Sequence, residues 1–142
     1  MLYHMNPANA PIIKMLESFR DIMIILHEDY RANAYATAIS EVSHAQMPIN
    51  ADNIVRIHVG SRIAEKIKEF VRTGAVVELR ALETSPIVAA HRTLSGIIGA
   101  GPAIIDKWIK LGVRTLADLR KLYASGTIAL TRVQKCGLLY YT

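Results

Sequence analysis

Apolar side chains recur at Ile12, Met15, Leu16, Phe19, Ile22, Met23 and Leu26. That three-to-four spacing keeps one helical face against a core and predicts a helix from Pro11 to about Glu28. Residues 1–10, with Asn6, Pro7 and Asn9, read as a frayed lead-in. His27-Glu28-Asp29 is a polar break, and a second helix is predicted from Tyr30 to about Ser43. Its expected inward positions are Tyr30, Ala34, Ala38 and Val42, with Tyr35 and Ile39 on an adjoining strip. Gln46-Met47-Pro48 ends it, and Asn50 or Asp52 is placed to cap a short helix through Val55, Arg56 and Ile57. A turn at Val59-Gly60, with Ser61 as the expected cap, then opens a helix whose buried stripe is Ile63, Ala64, Ile67, Phe70 and Val71. Gly74 has the position of a helix stop. Ala75 to Leu82 suits a further short helix, and Ile87 to Thr93 another.

Gly99 and Gly101 bracket a second turn, Pro102 fits the first position of a helix over Ala103 to Leu111, and Gly112 stops it. Thr115 with Asp118 three residues on is a capping-box pairing for a helix with Leu116, Leu119, Leu122 and Tyr123 as its apolar face. Ser125-Gly126 breaks that helix, and Thr127 to Leu139 is a last helical stretch. No run alternates apolar and polar residues as a half-buried strand would, so the expected fold is all-α. The Glu83-Thr84-Ser85-Pro86 cluster marks a boundary between two small helical domains, 1–84 and 85–142.

The two glycine turns share an order: hydrophobe, turn, glycine, amphipathic helix. This is the helix-hairpin-helix pattern, weak alone and stronger as a spaced pair. Glycine admits close approach of a ligand, and N–H groups at a helix start point at an anion. Seventeen Lys and Arg against twelve Asp and Glu give a formal charge of +5, which favours an anionic partner, nucleic acid above all. The single cysteine, Cys136, excludes an internal disulfide framework and a multi-cysteine zinc site. The run Ile22 to Leu26 is too short to cross a membrane, and no signal peptide is visible at the start. His4, His27, His44, His58 and His91 show no ligand spacing. Arg31 and Tyr35, four apart, share a helix face. The pair reads either as a phosphate clamp or as a core aromatic beside a solvated arginine. Lys66 on its own would be a solvated lysine.

Four segments together resemble the amino-terminal part of the family X DNA polymerases of the beta, lambda and mu kind. They are Asn33-Ala34-Tyr35; Val59 to Phe70 with Thr73-Gly74; Leu94 to Pro102; and Gly112 to Arg120. The match runs from about Tyr30 to Tyr141. The resemblance implies an eight-kilodalton-type lyase domain followed by a small DNA-binding subdomain. It ends where the family's palm would begin, so no nucleotide polymerisation is expected of this chain, and Mg2+ is expected only with a palm. Lys66 aligns with the Schiff-base lysine that attacks C1′ of a 5′-deoxyribose phosphate or abasic sugar. That step needs a free amine, and a lysine of ordinary pKa (~10.4) is mostly charged at neutral pH. A neighbouring cation such as Arg62, one turn earlier, favours the free amine. The resemblance assigns DNA and its 5′-phosphate to Arg31, Tyr35, Arg62, Tyr30, Lys68, Gly60, Gly99 and Gly101, with Tyr30 as a stacking ring. Glu65 matches a glutamate beside the nucleophile. Backbone carbonyls of Ile54, Arg56 and Val59, and of Ser95, Ile97 and Ala100, are implied ligands of a monovalent cation, Na+ or K+. His58, Glu78, Thr37 and Ala36 depart from the family pattern: Glu78 stands where polymerase beta has a pocket lysine. No cofactor is expected for lyase chemistry. The implied setting is a monomer acting inside the cell at gapped, nicked or 5′-phosphorylated DNA, in the nucleus or a cytoplasmic viral factory, with no membrane. The rival expectation is a non-catalytic DNA-binding module.

Overall fold

The computed structural model describes residues 5–140, with the side chain of Tyr140 excepted; His4 and Tyr141 lie outside the described residues. Among the described residues there are eight α-helices and no strand, and no helix is long and apolar enough to cross a membrane. The chain divides between Leu82 and Glu83 into two compact units.

In the first unit, α1 (Ala10–Ile25) and α2 (Asp29–His44) form an antiparallel pair. A left-handed residue, His27 (φ 60°), turns the chain between them. The predicted face of α1 is buried from Ile12 to Met23, while Leu26 lies just past the helix end. In α2, Ala38 and Val42 face inward as expected, but Tyr35 and Ala32 take the places expected of Ala34 and Tyr30. Starting at Asp29, it turns Ala32, Tyr35, Ala38 and Val42 inward and leaves Tyr30 89% exposed. The reason is the small residues: Ala32 and Ala38 let α2 lie close to α1, and Tyr35 fills the remaining gap by stacking on Phe19 at 4.9 Å between centroids. Asn9 is fully buried and ties the start of α1 to the later loop, accepting from Ile49 N–H (2.8 Å) and donating to the Met47 carbonyl (3.0 Å).

Asn50 accepts from the N–H groups of Asp52 and Asn53, shaping the loop before a 3-10 turn at Ile54–Arg56. The amphipathic α3 (Ser61–Thr73) follows. Gly60, not Ser61, holds the cap position, with no side-chain cap bond; Ser61 is already helical. Ile63 and Ile67 are buried, but Val71 is exposed, because the stripe turns out of the core after Ile67. Gly74 ends α3 in the left-handed region at φ 82°, as its position predicts. A short helix α4 (Val77–Glu83) closes the unit, its last residue falling just past the division.

The second unit holds α5 (Pro86–Leu94), α6 (Pro102–Lys110), α7 (Leu116–Ala124) and α8 (Arg132–Tyr140). Their core is Leu94, Ile97, Ile105, Trp108, Val113, Leu119, Ile128, Leu130 and Leu138. The Thr115–Asp118 capping box forms as predicted. Tyr123 does not join the core; it is exposed and lies under the Lys135 ammonium at 5.5 Å. The last helix is shorter than expected. Residues 127–131 are non-helical and feed Ile128 and Leu130 into the core. Thr131 and Gln134 then cap α8 reciprocally, at 3.0 and 3.1 Å.

Candidate phosphate and nucleophile site

The first turns of α2, the start of α3 and the start of α4 converge on two adjoining clefts in the first unit. The smaller, about 430 Å³, is lined by Tyr30, Arg31, Tyr35, Gly60, Arg62 and Lys66 among others. The larger, about 990 Å³, is bounded by Arg31, Arg62, Lys66, Lys68 and Glu78 among others. Arg31, Arg62 and Lys66 therefore border both. Residues as far apart in sequence as Arg31 and Glu78, forty-seven positions, meet here because α1 and α2 present a wall on which α3 lies.

Helical spacing places Arg62 and Lys66 one turn apart on the side of α3 that leaves the core. The Lys66 stem packs inward, so its side chain is only 13% exposed, and its Nζ stands 5.7 Å over the Phe19 ring. Such snorkelling leaves the amine at the cleft floor instead of in open water. Tyr35 is the core aromatic of the two alternatives posed by the sequence. Its ring is 2% exposed and stacked, yet its edge reaches the smaller cleft. Burial, reinforced by the Glu78 carboxylate and partly offset by the nearby Arg31 guanidinium, pushes the hydroxyl up to about 12. The phenol therefore stays protonated, and its O–H remains a donor, throughout the physiological range.

Glu78, which departs from the family's cationic pocket, enters the cleft as an acid among its bases. One oxygen, Oε2, lies 3.3 Å from Arg31 Nη2 and 3.8 Å from Lys66 Nζ. One carboxylate thus bridges two of the candidate site's cations. The start of α4 is fixed by Glu69, whose Oε2 accepts from the Val77 N–H at 2.8 Å. The E-x8-E spacing carries no recognised signal, so only the folded chain reveals this tether. Glu65 pairs with Lys68 at 3.4 Å, and both border the larger cleft.

The first hairpin is held by Glu41, whose Oε1 accepts from the His58 N–H at 2.8 Å. Gly60 has ordinary extended backbone (φ −64°) and open space at its Cβ. In the second unit, Gly99 adopts φ 88°, and Gly101 caps α6 in extended conformation. Gln134 donates to the Gly99 carbonyl at 3.0 Å, and Gly137 of α8 lies against the Ile98 backbone. Of the implied cation ligands, the Ile54 and Ile97 carbonyls accept from Ile57 (3.3 Å) and Ala100 (3.1 Å). Each keeps a second lone pair, so the sets are compatible with a cation.

A family model for a helix-hairpin-helix domain matches residues 7–76, and one for the fingers domain of DNA polymerase lambda matches residues 92–142. DNA polymerase lambda of Rattus norvegicus is 30% identical over 135 residues, covering 94% of this chain and 22% of that protein. DNA nucleotidylexotransferase of Homo sapiens is 29% identical over 83 residues, 58% of this chain and 16% of its own length. The Xenopus laevis protein of that name is 26% identical over 132 residues, 87% of this chain and 25% of its own. The chain thus spans about a quarter or less of these relatives.

Proposed function

Because the chain belongs to the family X DNA polymerases, carrying a helix-hairpin-helix domain and their fingers domain, we propose that it binds gapped or nicked DNA and grips a 5′-phosphate. We further infer that it removes a 5′-deoxyribose phosphate through Lys66. The observation that carries this reading is the convergence of Arg31, Tyr35, Arg62 and Lys66 on one cleft. Arg31 and Arg62 supply forked donors to phosphate oxygens, the Tyr35 hydroxyl adds a neutral donor, and Tyr30, at the rim, stacks on an exposed base. Lys68, on the larger cleft, adds charge along the strand. Each hairpin, at Gly60 and at Gly99–Gly101, presents backbone to a DNA phosphate. A Na+ or K+ held by the carbonyls of Ile54, Arg56 and Val59, and of Ser95, Ile97 and Ala100, would add positive charge there.

In the lyase step the Lys66 amine adds to C1′ of the ring-opened sugar and water leaves, giving an iminium. Loss of a C2′ proton to solvent then drives β-elimination. The C3′–O bond breaks, the DNA departs with its 5′-phosphate, and water releases the unsaturated sugar and restores the amine. That role belongs to base excision repair or end joining.

Incubation with a 5′-deoxyribose-phosphate substrate and borohydride should trap wild type covalently and leave Lys66→Ala untrapped. Equal trapping of both would remove Lys66 from this role. The ion pair on Lys66 favours a second reading, a non-catalytic 5′-phosphate clip. Absence of trapping with 5′-phosphate-dependent binding retained would decide for it.

A further inference from the structure

Glu78 is shared between two groups with separate jobs. Arg31 belongs to the phosphate grip and Lys66 to the chemistry, yet one oxygen lies 3.3 Å from the first and 3.8 Å from the second. Lys66 is confined at the cleft floor, whereas the Glu78 side chain is 48% exposed and is the member free to leave. An arriving phosphomonoester brings up to two negative charges and three acceptor oxygens, against one charge on the carboxylate. It therefore outcompetes Glu78 for the Arg31 fork. Once Arg31 is taken, Glu78 faces a phosphate of like charge and keeps only its longer contact with Lys66.

Resting on the reading above, we propose that Glu78 is a positioning residue that couples phosphate capture to release of the amine. Capture at Arg31 expels the carboxylate and so unpairs Lys66. A sugar bearing a terminal 5′-phosphate engages the nucleophile, and an internal abasic sugar without one meets it still paired. Glu78 thereby sets selectivity between these two aldehydes.

Two measurements on the full chain test this, with Glu78→Gln as the variant and Asp21→Asn, a carboxylate of α1, as the charge control. First, affinities are measured for gapped DNA ending in 5′-phosphate or 5′-hydroxyl. Glu78→Gln should widen the 5′-phosphate advantage about two- to fivefold, the range for breaking exposed ion pairs, while the 5′-hydroxyl affinity moves less than about twofold. Second, borohydride trapping at saturating protein should show the wild-type preference for 5′-deoxyribose phosphate over an internal abasic site shrinking in Glu78→Gln. An unchanged 5′-phosphate advantage, or the same change in Asp21→Asn, overturns the coupling. The binding arm requires no chemistry. A wild type with no 5′-phosphate advantage sinks the phosphate grip itself, whereas an advantage that Glu78→Gln leaves alone sinks only the coupling.

Discussion

Replacing Tyr35 separates the two roles its position combines. In Tyr35→Ala the stack on Phe19, at 4.9 Å and parallel, is lost from a site only 2% exposed. Removing a buried aromatic costs about 3–5 kcal/mol, a large share of the stability of a small domain. Tyr35→Phe keeps the ring and deletes only the hydroxyl, beside the Arg31 guanidinium. A single hydrogen bond contributes about 0.5–1.5 kcal/mol, so the fold should survive. Binding responds differently. A donor to a charged phosphate contributes about 1.5–3 kcal/mol, equivalent to a roughly 10- to 100-fold loss of affinity. Urea unfolding reads the first quantity. Fluorescence anisotropy with 5′-phosphorylated and 5′-hydroxyl gapped DNA reads the second, and the loss should be confined to the phosphorylated end. If Tyr35→Phe binds both ends as wild type does, the phenol is no part of the grip. If Tyr35→Ala unfolds within about 1 kcal/mol of wild type, the ring is no part of the core.

Two other outcomes follow from the second unit. A Cβ on Gly137 would stand 2.9 Å from the Ile98 nitrogen, whereas one on Gly101 meets nothing within 4 Å. Gly137→Ala gains helix propensity of about 1 kcal/mol but overpacks backbone at about 1–3 kcal/mol. Urea unfolding should therefore show a net loss of up to about 2 kcal/mol, with Gly101→Ala near neutral; the reverse order would refute the packing of α8 on the hairpin. The N–H of Arg114, with that of Thr115 and the Thr115 hydroxyl, holds the Asp118 carboxyl below its usual 3.8. A depressed carboxylate stabilises the fold above its unfolded pKa and loses that contribution as pH falls through the folded one. Acid titration followed by circular dichroism should show wild type losing stability below about pH 4 and Asp118→Asn losing less over the same range; parallel curves would contradict this.

The all-α class, the stripe of α1, the caps at Gly74 and Thr115 and the grouping of Arg62 with Lys66 were legible because each rests on residues within one or two helical turns. The resemblance to the family, not local spacing, marked Glu78 as a departure from a cationic pattern. The phase at the start of α2 was not legible: Tyr30 and Tyr35 are equally aromatic, and which one enters the core depends on Phe19 facing it from α1. Val71 and Tyr123 fit their helical stripes but lie beyond the area that the opposing elements cover. The cap of α8 had a local signal, Thr131 with Gln134, hidden by the assumption of a longer helix. By itself the chain determined which stretches coil, where they are capped and where its glycine turns fall, because helix periodicity, capping and side-chain type act at short range. Folding alone decided that the amine at position 66 lies against an aromatic ring and beside a carboxylate twelve residues on, because burial and charge pairing depend on which surfaces meet in space.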